Sequence, residues 1–423
     1  MKEELLHFIW KYAKFPLNGL STVSGETLSV KNLGRHNHLA GPDFLEAQIW
    51  IGGQLWAGSV EIHVKSSDWF KHNHQSDTNY NNVILHVVWE HDLPVVRPTG
   101  ETIPTLQLAK VIPKTFVNSY RQLMQPKSFV NCETDLHQFN GFDREHWLER
   151  VFFERLETKA KKVYALLEQT ANNWEQVLFL MLLKGFGTKV NGEFFLQQGL
   201  KIPIQVWRSC LNDPLELEAL LFGTMGMFSK EEPQDTYFNE QSNRFTYLKH
   251  KFRLQESYGP GANYYGLRPP NFPTLRLAQL SRLLCREKQL FLELMQTWQV
   301  EQLKSLLQVR LNDYWASHFV FGKSVVEKTR STTDSFLELL LVNTVIPLKF
   351  AYAKYKGQQA TEKLLELVMQ LKPEKNTVIN RFAMRGWQAD HALHTQALLG
   401  LYTQYCQQHR CLQCAVGSRL LHD

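Results

Sequence analysis

Partway along this chain the spacing of apolar residues changes from two to between three and four, and that switch dictates two differently built regions. Between residues 20 and 108, short runs rich in β-branched and aromatic residues alternate with turn signals, over 20–23, 27–30, 47–51, 55–65, 83–89 and 105–108. Gly52-Gly53 falls between two of these runs and fits a two-residue hairpin turn. Apolar residues at helical spacing precede them over 3–15 and stop before Pro16. From Arg144 the pattern is helical almost throughout, over 144–169, 174–184, 215–227, 274–284, 289–297, 300–307, 335–346, 348–356, 361–371 and 390–406. Pro347 is expected to kink or divide two of these helices. The chain therefore reads as α+β: a mixed-sheet domain over 1–115, a linker over 116–143, and an all-α body over 144–423 ending in a Cys-rich segment. At 423 residues two or three domains are expected, and no fixed-period repeat marks a solenoid.

The polar residues gather in the first region. Eight of the 16 histidines lie within the first 91 residues: His7, His36, His38, His63, His72, His74, His86 and His91. The run Gly41-Pro42-Asp43-Phe44 opens one apparent strand, and Gly58 to Trp69 (GSVEIHVKSSDW) forms the next. Period-two geometry puts Glu61, His63 and Lys65 on one side of that strand, with Val60, Ile62 and Val64 on the other. Such a face is either solvated or a polar site. Two carboxylates on neighbouring strands, Asp43 and Glu61, can hold Mg²⁺ or Mn²⁺ for phosphodiester hydrolysis, with His63 or Lys65 beside the attacking water.

This arrangement resembles the PD-(D/E)XK nuclease core. In that family a Pro-Asp begins one strand, the next carries Glu-x-Lys, and a preceding helix sometimes adds a glutamate. Pro42-Asp43 and Glu61 match, and Glu4 is a candidate for the helix acid, but His63 stands where the lysine is expected, with Lys65 two residues on. The resemblance implies a restriction-endonuclease-like fold and metal-dependent cleavage of DNA or RNA. Over nearly its full length the chain also resembles an uncharacterised bacterial family, through GPDF, VEIHVKSSDW, the His72-x-His74-x-x-Asp77 run, VILHVVW, NFPTLRLAQL and CLQCAVG. That second resemblance brings no activity with it.

Other groups leave alternatives open. Asp68, His72, His74 and Asp77 can chelate Zn²⁺ or Mn²⁺ in an unrelated metallohydrolase, or form a hydrophilic loop, and His86 reads as a core histidine. Cys406, Cys411 and Cys414 have the spacing C-x4-C-x2-C, which suits Zn²⁺ with His409 as fourth ligand. It equally suits a 4Fe–4S cluster completed by a distant cysteine, of which Cys132 is the first choice. Three thiols buried as small hydrophobes would look the same. Arg268, Asn271 and Arg276 surround a Pro-rich helix start where they could meet nucleic-acid phosphates. Gly185-Phe186-Gly187 reads as a helix stop, and the aromatic tract from Asn312 to Lys323 as core.

A net charge of +6 permits a nucleic-acid partner without requiring one. Acidic Glu3 and Glu4 and the lack of a cleavage site argue against a secretory signal, and the run 336–346 is too short and polar to span a membrane. A cytoplasmic nuclease is the first expectation. A catalytically inactive binding or scaffold protein on the same fold is the second.

Overall fold

The computed structural model describes residues 1–421 other than 38, 98, 140, 229–234, 255–260 and 312, so His38 and Asn312 lie outside the described residues. The chain divides into two units, Met1–Asn140 together with Tyr402–Asp423, and Gly141–Leu401. The C-terminal segment, expected at the end of the helical body, thus belongs to the first unit. The reason is hydrophobic: Leu421 is buried in that unit's core, and Cys411, Leu412 and Leu420 pack against it.

In the first unit, helix α1 (Glu3–Lys11) buries Leu5, Leu6, Phe8, Ile9 and Trp10. The sheet then builds from β1 (Leu20–Ser21), β2 (Thr27–Asn32), β3 (Arg35–His36), β4 (Phe44–Ile51) and β5 (Gln54–Lys65). Gly52 and Gly53 both have positive φ (57° and 84°), as the tight β4–β5 turn demands. After the short helix α2 (Asp68–Lys71) come β6 (Val83–Glu90) and β7 (Thr105–Gln107), and helix α3 (Lys114–Met124) occupies part of the expected linker. Strands run in the order β1-β2-β4-β5-β6-β7, with β3 beside β4. β2, β4 and β5 are antiparallel neighbours, whereas β5–β6 and β6–β7 are parallel. A parallel pair requires a crossover. Here it carries α2, the turns His74–Ser76 and Thr78–Tyr80, and with them Trp69, His72 and His74.

That crossover decides the fate of the polar face of β5. From Gly58 to His63 every residue of the strand is buried, so the face is not solvated. Val60 and Ile62 join the main core with Leu85, Val87 and α1. On the Glu61/His63 side, Trp69, Tyr80, Val83, Val95 and Ile103 form a second, smaller cluster. Gly58 pairs with Ala47 of β4 and immediately precedes the residues of β5 that also pair with β6. A Cβ there would stand 2.5 Å from Ile84 Cγ2 and 2.6 Å from the Asn82 carbonyl oxygen. Gly58→Ala is therefore expected to destabilise the first unit by about 2 kcal/mol, read as a lowered urea midpoint with an unchanged slope.

The second unit is mostly helical, so the chain is α+β as expected at this coarse level. Helix α4 (Gly141–Gln169) is followed by α5 (Trp174–Phe186), α6 (Thr188–Gly199), α7 (Ile204–Ser209), α8 (Pro214–Thr224) and α9 (Thr236–Phe252). α6 escapes a periodicity reading because Asn191, Gly192 and Gln198 occupy its buried face. Pro347 breaks nothing: a single helix runs over Asp334–Tyr355, with a π-turn at Leu341–Val345 absorbing the ring and missing N–H. By length and composition this helix could cross a membrane, but its apolar window is mostly buried, as in a core helix. On α8, Glu218 is fully buried and accepts hydrogen bonds from Tyr237 Oη and, at 2.9 Å, from Trp315 Nε1.

Candidate metal centre

Asp43 is the residue before β4, and a bulge follows it directly. The β4–β5 register shifts between Phe44 and Ala47, and Glu46 sits at φ 62°. The result is a reciprocal clasp between the two acids expected to meet. The backbone N–H of Asp43 donates to Glu61 Oε2 at 3.1 Å, and the backbone N–H of Ile62 donates to Asp43 Oδ2 at 2.9 Å. Both carboxylates are fixed by the sheet itself.

Helix α1 supplies two further groups, Glu3 and His7, one turn apart on the same face. His7 Nε2 lies 3.2 Å from Asp43 Oδ2, near enough for an ion pair though off the line of a hydrogen bond. Donor atoms of Glu3, His7 and Asp43 all fall within 4.8 Å of one another. The carboxylate that α1 brings beside Asp43 is that of Glu3, while Glu4 lies within electrostatic reach of Tyr120. Burial raises the Glu3 pKa, and the charge on Asp43 adds to that. Burial opposes charge on His7, but contact with Asp43 and the nearby charges of Glu3 and Glu61 outweigh it and raise the His7 pKa.

Glu61 is the hinge of the site. Burial, reinforced by the charge of Asp43, pushes its carboxyl far above the usual carboxylate range. Its other oxygen, Oε1, faces imidazoles, with His74 Nε2 at 3.2 Å and His63 Nε2 at 3.5 Å. His63 also meets His72 Nδ1 through Nε2 at 3.0 Å and His86 Nε2 through Nδ1 at 2.8 Å. His86 is therefore a buried histidine whose Nε2 is paired with another histidine, while its Nδ1 has no hydrogen-bond partner among the described residues. His74 stacks on Tyr80 with ring centroids 3.8 Å apart, and Trp69 packs edge-on against His63, His74 and His86. Burial, helped by the neighbouring imidazoles, drives the His63 pKa down to about 2 and that of His86 to about 3. Burial also lowers that of His74. These rings are neutral at pH 7, the state a metal ligand needs.

Two donor groups thus meet at Glu61: Glu3, His7 and Asp43 on one side, and His63, His72 and His74, themselves within 4.8 Å of one another, on the other. The carboxylates of Glu3, Asp43 and Glu61 converge beside His7, and His74 Nε2 is buried with no hydrogen-bond partner among the described residues. That donor set fits a divalent cation. Glu3, His7 and Asp43 are half-buried and His72 is exposed, so the rim is open while the floor is sealed.

The remaining expected site residues go elsewhere. Lys65 does not join the acids: its ammonium pairs with Glu90 at 3.7 Å, 47 % exposed, because β5 runs out of the cover above it. Arg276 is committed to the core, not to phosphate. Its guanidinium lies 3.4 Å from the Phe336 ring centroid and donates to Asn271 Oδ1 at 2.6 Å and Gln279 Oε1 at 2.9 Å. Only Arg268 of that trio is exposed. Cys132, Cys406, Cys411 and Cys414 all fall in the first unit. Glu3 and His7 were the residues sequence reasoning missed. Their spacing of four on an amphipathic helix was the available signal, but it equally describes a solvated helix face.

A family model described as "Protein of unknown function (DUF2851)" matches residues 3–377. No curated protein and no solved structure matches the chain.

Proposed function

Because this chain belongs to that family of unknown function, its activity has to be argued from the site, and we propose a divalent-metal-dependent hydrolase of nucleic-acid phosphodiesters on a PD-(D/E)XK-like core. The observation that carries this reading is the reciprocal backbone clasp of Asp43 and Glu61. It is supported by Pro42-Asp43 before one strand, Glu61 on the next, and an acid on the preceding helix, the disposition the family resemblance implies. Asp43, Glu61 and Glu3 would hold Mg²⁺ or Mn²⁺. The bound ion supplies Lewis-acid charge and an acidified water. His7, whose pKa contact with Asp43 raises against the opposing effect of burial, takes the role first expected of Lys65. It would give its proton to the departing ester oxygen as the P–O bond breaks, and recover one from the water that adds to phosphorus. A cytoplasmic setting and a DNA or RNA partner go with this reading.

The His63, His72 and His74 group favours a second reading, a Zn²⁺- or Mn²⁺-dependent hydrolase in which Glu61 and the imidazoles are the ligands. The test is incubation of purified protein with plasmid, single-stranded DNA and RNA, with Mg²⁺, Mn²⁺ or Zn²⁺ and with chelator, alongside calorimetric metal titration. Cleavage supported by Mg²⁺ and stopped by chelator favours the first reading, and cleavage confined to Zn²⁺ or Mn²⁺ the second. Absence of both metal binding and cleavage leaves a scaffold protein.

A further inference from the structure

Four cysteines separated by up to 282 positions (414 − 132) belong to the first unit and lie within electrostatic reach of one another. Cys132 lies in the turn after α3, and its carbonyl accepts from the Asp135 N–H at 3.0 Å. The other three follow the helical body: Cys406 closes the π-turn Tyr402–Cys406, Cys411 opens the 3₁₀ turn Cys411–Gln413, and Cys414 precedes the helix Ala415–Arg419. The neighbouring Asn131 donates through Nδ2 to Cys411 Sγ at 3.6 Å, bridging the two segments. Phe129 stacks on Tyr402 with centroids 5.3 Å apart, a second bridge at the same place. The Cys406 thiol is within electrostatic reach of Cys414, Cys132 and Cys411, and Cys132 within that of Cys414 and Cys411.

The local backbone is shaped to gather sulfur. His409 takes φ 52° to reverse the chain between Cys406 and Cys411. Gly417 passes so close beneath Cys411 that a Cβ would lie 2.2 Å from the Cys411 carbonyl oxygen. Three of the four cysteines are only half-buried, which suits a group reached from solvent better than sulfur packed as hydrocarbon. No disulfide joins any of them among the described residues.

Spacing chooses between the metals. A tetrahedral zinc with Zn–S bonds of about 2.3 Å draws its sulfurs to roughly 3.8 Å of one another. Among the described residues the donor groups compact to within 4.8 Å are the two around Glu61, and no cysteine trio is one of them. The thiols act on one another electrostatically, yet no three of them gather to within 4.8 Å among the described residues, as is expected when each thiolate binds a different iron. We infer that Cys132, Cys406, Cys411 and Cys414 ligate a 4Fe–4S cluster that clasps the C-terminal segment to the turn after α3. Assembly from two ferrous ions, two ferric ions and four sulfides forms four iron–thiolate bonds and releases four thiol protons, with no net oxidation.

The test uses the full chain purified anaerobically, with iron, acid-labile sulfide and zinc measured together. About four irons and four sulfides per chain, a brown colour, and a reduced-state electron-spin signal after dithionite are expected. Cys132→Ser and Cys411→Ser should each lower iron at least about fourfold and make residues after Tyr402 more rapidly cleaved by protease. Cys210→Ser and Cys285→Ser, both in the helical unit, should keep full iron. Stoichiometric zinc in place of iron overturns the inference, as does a folded protein carrying no metal after reconstitution with iron and sulfide. Iron retained in Cys132→Ser overturns the ligand set. None of these readouts depends on cleavage at Asp43, so failure here and failure of the hydrolase reading are separable.

Discussion

Asp43→Ala is expected, on the proposed hydrolase reading, to lower metal-dependent cleavage by about a hundred- to a thousand-fold, the scale for removing a group that organises charge at the reacting centre. Circular dichroism and the thermal midpoint should stay near wild type. The lost contacts are the Ile62 N–H bond and the His7 pairing, both at a half-buried position. Glu61→Gln should lose activity to a similar degree but move stability the other way. In chelator-treated protein the Glu61 carboxyl sits buried beside Asp43, and its pKa is raised by that burial and by the Asp43 charge. The folded state then binds a proton that the unfolded state releases, so stability is full at acid pH and declines as pH rises toward the folded pKa. An amide escapes this decline while still accepting the Asp43 N–H. The expected result is an inactive enzyme that melts higher at pH 8, by roughly 1–2 kcal/mol. Wild-type activity in either variant would remove these acids from the chemistry. A Glu61→Gln protein less stable than wild type in chelator would show the pair to be structural.

The second large effect lies in the helical unit and involves no catalysis. Burial raises the Glu218 pKa from 4.5 to about 7, the bonds from Tyr237 and Trp315 only partly opposing it. Its second oxygen, Oε2, has no hydrogen-bond partner among the described residues. Folded protein therefore binds more protons than unfolded protein between pH 4.5 and about 7. The stability this contributes is complete below pH 4.5 and lost as pH rises through 7. A shift of that size corresponds to about 3 kcal/mol once the group is ionised. Glu218→Gln keeps the acceptor for Tyr237 and Trp315 and places an amide where the orphan oxygen stands. Urea unfolding should place the variant within about 1 kcal/mol of wild type at pH 5 and about 3 kcal/mol above it at pH 8.5. Parallel pH profiles for the two proteins would refute the argument.

Much of the sheet and half of the candidate centre could be read before any coordinates. Asp43 and Glu61 were legible because a Pro-Asp after glycine and an alternating strand are local patterns, and because a Gly-Gly turn ties the two strands into one hairpin. Lys65 was misplaced by the same rule: alternation names a face but not where its cover ends, and β5 outruns Trp69 and Tyr80 by two residues. Glu3 and His7 were hidden because polar residues on a helix usually face water. Arg276 beside a Pro-rich helix start looked like a phosphate contact, yet its neighbours in space include Phe336, sixty positions away (336 − 276). No local pattern announces that a segment after a long helical body returns to an earlier domain. The buried Leu421 and its partners are visible only once the sheet exists to receive them.

That return fixes an order of events during synthesis. Residues of the first unit before Asn140 leave the ribosome early, but the apolar surface that receives Leu421 stays bare until more than 260 further residues have followed. Because domains otherwise condense in order of emergence, the helical unit is free to condense first, and the acid-lined unit becomes whole last. A nascent chain stalled before Tyr402 would therefore carry a helical unit already condensed while the surface that receives Leu421 still lay open to water.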